Sequence, residues 1–139
     1  MVKRVRTVLA LVVLAGALVG CGGQAPAGQD EDAEVIVESV DALIMESFPV
    51  QVNAVVTGTL FDGCVEIENA IVERDGSTFR IDFETERLID ALCQPGRVPF
   101  EQVVPLDVLG LEAGTYTVEA GGASTTFTLD VDNTPLGEE

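Results

Sequence analysis

The chain has 139 residues, with 7 Lys+Arg against 24 Asp+Glu, no His, no Trp and 3 Cys. That is enough for one domain and too little for two with separate cores. Without His there is no Ser-His-Asp triad, no Cys-His dyad and no imidazole metal ligand. The acid excess repels a phosphate backbone and argues against nucleic acid as a partner.

Residues 1–20 have the order of a removable export segment. Lys3, Arg4 and Arg6 come first, and Thr7 to Val19 follow as an apolar run. That run is too short to span ~30 Å of hydrocarbon comfortably as a helix, and its basic flank is that of a secretory signal peptide. It ends in Leu18-Val19-Gly20-Cys21. An aliphatic residue, a small or aliphatic one, Gly, then Cys resembles the lipobox of bacterial lipoproteins. The resemblance implies cleavage before Cys21, a thioether-linked diacylglycerol on its sulfur, and acylation, as by palmitate, of the new amino group. It also implies a lipid-anchored location on the extracytoplasmic side, either the outer leaflet of a cytoplasmic membrane or the periplasmic face of an outer membrane. Two or three acyl chains hold a protein there in practice, where one does so only reversibly. After such cleavage 119 residues remain, with four Arg, no Lys and all 24 acids, a formal charge of −20.

Residues 21–34 follow as the lipidated Cys and a tether, GGQAPAGQDEDAE. Its polar, Gly- and acid-rich composition buries nothing and predicts disorder, with an r.m.s. reach of roughly 20 Å. Residues 35–133 show β periodicity and no sustained helical stripe. Val35 to Met45 is the first strand. Val50, Val52, Ala54, Val56 and Leu60 alternate with polar residues in the second. Asp62-Gly63 is a hairpin signal, and Val65, Ile67 and Ile71 mark the third strand. Asp75-Gly76 is a second two-residue turn signal, before Phe79, Ile81 and Phe83 in the fourth. Leu88 to Gly96 reads as a loop or single helical turn. Val98, Phe100, Val104 and Leu106 form a fifth strand, which Pro99 and Pro105 assign to an edge or a bulge. Tyr116, Val118 and Ala120 mark the sixth, Gly121-Gly122 turns the chain, and Phe127, Leu129 and Val131 mark the seventh. Residues 134–139 are a polar tail.

About seven short strands with one dry face each predict an all-β, antiparallel β-sandwich, preceded by the signal helix and the tether. The stretch Gly110-Leu111-Glu112-Ala113-Gly114-Thr115-Tyr116-Thr117-Val118 is similar to the start of the penultimate strand in bacterial immunoglobulin-like and fibronectin-type modules. That resemblance implies an Ig-like sandwich in which Tyr116 bonds its hydroxyl to nearby backbone. Antibody-type domains differ in having a Trp on the third strand and a different Cys spacing. Lipobox, acidic tether and one Ig-like module together resemble small envelope lipoproteins.

With Cys21 lipidated, Cys64 and Cys93 remain in an exported chain and are expected to pair as a structural disulfide. The bridge would pin the Leu88–Gly96 loop to the Asp62-Gly63 end of the sandwich. Other chemistry is sparse. Asp130-Val131-Asp132-Asn133 opens like a Ca²⁺ loop, but Thr134 and Pro135 stand where a ligand and Gly are needed, so a strand end is expected. Glu66 and Glu68, and Asp82, Glu84 and Glu86, lie roughly 7 Å apart along their strands and read as a solvated face with Arg74, Arg80 and Arg87 as counterions. No catalytic residue, metal or cofactor is expected.

The expectation is therefore a membrane-anchored, non-catalytic binding or structural module of the cell envelope. Its partner is the membrane, through Cys21, and beyond that an envelope or extracellular protein. The candidate binding loop comprises Asp62, Leu88, Ile89, Leu92 and Pro95, although the apolar members would equally serve to cap the core. The alternative is an inhibitor of a secreted or host hydrolase, using the loops at Asp62–Cys64 and Ala91–Gly96.

Overall fold

A strand buried on one face requires a second layer to cover it, and seven such strands resolve into two sheets. The computed structural model describes residues 34–89, 92–135 and 137; the signal segment, Cys21 and most of the tether lie outside the described residues. The strands are β1 (Val35–Met45), β2 (Gln51–Leu60), β3 (Val65–Asp75), β4 (Thr78–Arg87), β5 (Val98–Leu106), β6 (Gly114–Ala120) and β7 (Ala123–Leu129). One sheet has the order β1-β2-β5 and the other β3-β4-β6-β7. The described residues contain no helix long and apolar enough to cross a membrane.

The core follows the period-2 pattern. Val52, Ala54 and Val56 of β2 face inward with 1% exposure or less, against Phe79 and Ile81 of β4 and Val118 of β6. Each of the Val, Ile and Phe side chains contributes roughly 1.5–3 kcal/mol when fully buried. Phe79, Tyr116 and Phe127 cluster with ring centroids 5.5–6.2 Å apart. Nearer the start of β1, Phe83 of β4 meets Phe100 of β5 edge-on at 5.8 Å and joins the two sheets. Tyr116 donates its hydroxyl to the Glu112 carbonyl at 2.8 Å, so the corner implied by the resemblance is formed. β5 lies at a sheet edge, as its prolines require; Pro99 and Pro105 stand opposite Thr59 and Asn53.

Four features correct the reading of the sequence. Asp62-Gly63 is not a hairpin: β2 and β3 belong to different sheets, and these residues make the corner between layers. The β3–β4 hairpin closes at Asp75↔Thr78, so its two-residue loop is Gly76-Ser77, one position later than expected. β7 ends at Leu129, and Val131 lies beyond it, exposed. Finally, the sheets are not wholly antiparallel. Thr78–Ile81 of β4 pair in parallel with Thr117–Ala120 of β6. The immunoglobulin arrangement instead places the third strand beside the sixth. The chain satisfies a parallel neighbour here because it leaves this sheet after β4, runs β5 in the other layer and returns; a parallel pair needs such a crossover.

Candidate functional site

The sandwich has two poles. One gathers the start of β1, the β2–β3 corner, the end of β4 and the loop that precedes β5. Here the Glu34 carbonyl accepts from the Phe61 amide at 2.9 Å, so the chain enters the domain beside the β2–β3 corner. Asp62 organises that corner. Its Oδ1 accepts from the Cys64 amide at 2.8 Å, and Arg87 Nη1 lies 3.0 Å from its Oδ2. These contacts, the Cys64 amide foremost and the Arg87 guanidinium after it, hold the Asp62 carboxyl below its ordinary value of 3.8 against the opposing effect of burial. Arg87 also reaches Glu34, with Nε 3.8 Å from Oε1, and lies over the Phe61 ring at 5.9 Å from its centroid. Thr85 donates its hydroxyl to Glu34.

Cys64 and Cys93 form the expected disulfide, with Cα atoms 5.1 Å apart. The Gly63 amide donates to the Gln94 carbonyl at 3.0 Å, and the Leu88 amide to the Cys64 carbonyl at 2.8 Å. Both limbs of the Leu88–Gly96 loop are thereby fixed to the β2–β3 corner. Of the predicted loop residues, Asp62 is built into this scaffold, while Leu88, Ile89, Leu92 and Pro95 project from it. Leu88 is 38% exposed, Ile89 84% and Leu92 fully exposed. The expectation that these apolar residues cap the core is overturned. Val35, Phe83 and Phe100 already pack against the core, and the disulfide holds the loop outside them.

The opposite pole contains what the sequence reading missed. Asn133 is 1% exposed. Its Nδ2 donates to the Val50 and Val108 carbonyls, each at 2.9 Å, and its Oδ1 accepts from the Val50 amide at 2.6 Å. Its own amide donates to Leu111, and its carbonyl accepts from Gly110. Asp132 Oδ1 accepts from the Ala113 amide at 2.8 Å. The Asp130–Asn133 stretch is thus a latch across the pole, and among the described residues no three His, Cys, Asp or Glu side chains gather as a metal site. A lone Asn after a strand has no periodicity to mark it. Beside the latch lies an open groove of about 340 Å³ between Pro49–Asn53 and Pro105–Leu109.

On the outer face of the four-stranded sheet, Glu66 stands directly opposite Glu86 across β3–β4. Arg80 Nε lies 3.4 Å from Glu119 Oε2 across the parallel pair. Arg74 donates to the Gly76 carbonyl, and among the described residues no acid pairs with it.

The ORF11 beta-sandwich domain matches residues 54–129, from within β2 to the end of β7. The chain belongs to the ORF11 beta-sandwich domain family. Its relatives include the uncharacterised 10.2 kDa protein in the HgiCIIM 5' region of Herpetosiphon aurantiacus, 34% identical over 84 residues, which are 60% of this chain and 88% of the relative. The corresponding 10.2 kDa proteins in the HgiBIM and HgiEIM 5' regions of that organism are each 35% identical over 72 residues, 52% of this chain and 87% of theirs. No solved structure matches. In this ORF11 beta-sandwich domain the family match includes both cysteines, whereas β1 and the segment leading to it precede it.

Proposed function

We propose that the chain is a lipid-anchored extracytoplasmic lipoprotein, whose ORF11 beta-sandwich domain serves as a non-catalytic binding or structural module of the cell envelope. The observation that carries this reading is the order of basic start, apolar run and Leu18-Val19-Gly20-Cys21. Two features support it. Thirteen residues separate Cys21 from the start of β1. A disulfide between Cys64 and Cys93 suits an oxidising compartment.

Mass spectrometry of the membrane fraction tests the reading. It should yield an acylated Cys21 peptide, and the Cys21→Ser variant should leave the membrane fraction. Retention of Cys21→Ser as firm as that of the wild type would overturn it. A second reading, hydrolase inhibition, is favoured by one observation: the Gly63–Gln94 bond and the disulfide join the two candidate loops into one rim. Stoichiometric loss of lysozyme or protease activity on adding the protein would select it.

A further inference from the structure

The apolar side chains at the tether-side pole require an explanation of their own. Ile89 and Leu92 are 84% and fully exposed, and Phe61 and Leu88 beside them are 43% and 38% exposed. They are not on a loose excursion. The disulfide, the Gly63–Gln94 bond and the Leu88–Cys64 bond fix the limbs that carry them. Fixing the two limbs lowers the ordering entropy that Leu88 and the chain beside Leu92 lose when they meet a partner.

The loop that carries these side chains is nearly neutral. Leu88 to Arg97 contains one acid, Asp90, and one base, Arg97, in a chain whose part beyond residue 20 carries −20. Of the acids near it, Glu34 and Asp62 are engaged by Arg87, while Asp30, Glu31 and Asp32 precede Glu34 in the chain. Exposed acids are dense on the outer face of the four-stranded sheet, where Glu66 and Glu86 stand opposite each other at the end nearest this pole and Glu73, Asp82 and Glu84 lie further along it.

What identifies the occupant is where the chain enters. β1 begins at this pole, beside Phe61. The 13 residues between Cys21 and β1 span at most about 45 Å when fully extended, so the first part of the domain to meet an anchoring bilayer is the pole bearing Ile89 and Leu92. A second exposed apolar group, Leu43, Ile44, Met45, Phe48 and Leu109, lies at the far pole, with nothing to show what covers it.

We propose that the rim formed by Phe61, Leu88, Ile89 and Leu92 seats in the headgroup–acyl boundary of the bilayer that holds the Cys21 anchor, as a second, non-covalent membrane contact that fixes the orientation of the domain. The proposal rests on the lipoprotein reading. Apolar side chains buried in that boundary add to the hold of the acyl chains, and membrane attachment is firmest when two such signals combine. Arg97, exposed at the C-terminal end of the loop, extends its charge towards lipid phosphates while its methylenes follow the apolar rim.

The absence of Trp from the chain makes the test direct. The acylated full-length protein carrying Leu92→Trp is reconstituted into phosphatidylethanolamine/phosphatidylglycerol vesicles, alongside a Leu109→Trp control at the far pole. Both positions are exposed, so neither substitution disturbs the core. Leu92→Trp should shift its emission to the blue and be quenched by brominated acyl chains, while Leu109→Trp emits as in water. Adding Ile89→Glu to the Leu92→Trp protein should reduce the shift without releasing the protein from the vesicles.

Water-like emission from Leu92→Trp in protein that stays on the vesicles overturns the proposal and leaves the anchor reading standing. A blue shift that needs native membrane proteins and is not produced by pure lipid overturns it in favour of a protein partner. Full-length protein that is never acylated and stays in the supernatant removes the anchor reading and this one with it.

Discussion

Asn133 and Asp62 show how single polar side chains hold the two poles. Asn133 satisfies the amide and carbonyl of Val50 and the carbonyl of Val108 from one buried amide group. Leu is of similar size but offers no partner, so Asn133→Leu leaves those backbone groups unsatisfied, each at roughly 1–3 kcal/mol. The expected loss is about 3 kcal/mol, measured as a lower urea midpoint with unchanged slope. Asp62 works through charge. Its folded-state pKa is lowered by the Cys64 amide and Arg87, so its stabilisation is complete above the ordinary aspartate range and is lost as pH falls through the folded value. Asp62→Asn should therefore reduce stability at neutral pH, and the difference from wild type should vanish at the acid end of a urea titration series.

At the level of elements, the disulfide decides whether the Leu88–Gly96 loop belongs to the fold. It closes a sequence separation of 29 residues, for which chain entropy gives roughly 3.6 kcal/mol. That is a large share of the ~5–15 kcal/mol typical of a domain. The Cys64→Ala/Cys93→Ala double variant should lose about that much in chemical denaturation. Amide exchange should rise first at Gly63 and Leu88, whose hydrogen bonds tie the corner to the loop, and last in β2 and β6. The parallel contact of β4 with β6 has a cost in length: only Thr78–Ile81 pair with β6. The later half of β4 depends on β3, on Phe83 packing against Phe100 and on the Glu34–Thr85–Arg87 contacts.

For the whole molecule, charge dominates. Beyond residue 20, 24 acids are offset by only four Arg, a formal −20, and Glu66 faces Glu86 directly, where like charges across a strand pair destabilise. Self-repulsion of this size falls as the Debye length shortens from about 10 Å at 0.1 M salt to about 3 Å at 1 M. The melting temperature should rise steadily with NaCl over that range, and a flat profile would show that the acids are too well dispersed to strain the fold.

Alternation along each strand was legible in the sequence because a side chain's face in a strand depends on its own parity. Val52, Ala54 and Val56, or Phe79 and Ile81, declare themselves without reference to any other element. The limits of β1 and β5 followed from local composition and the edge position of β5 from Pro99 and Pro105, while the Tyr116 corner was implied by the resemblance of residues 110–118 to Ig-like modules and the Cys64–Cys93 pair by assigning Cys21 to the lipobox. Which strand lies beside which is a different kind of fact. β4 next to β6, the corner at Asp62-Gly63 and the outward placement of Ile89 and Leu92 depend on contacts between residues far apart in the chain. So does the Asn133 latch, whose side-chain bond to the Val50 amide spans 83 positions. No local pattern encodes such contacts, because their free energy arises only when both layers have closed and the buried backbone groups must find partners.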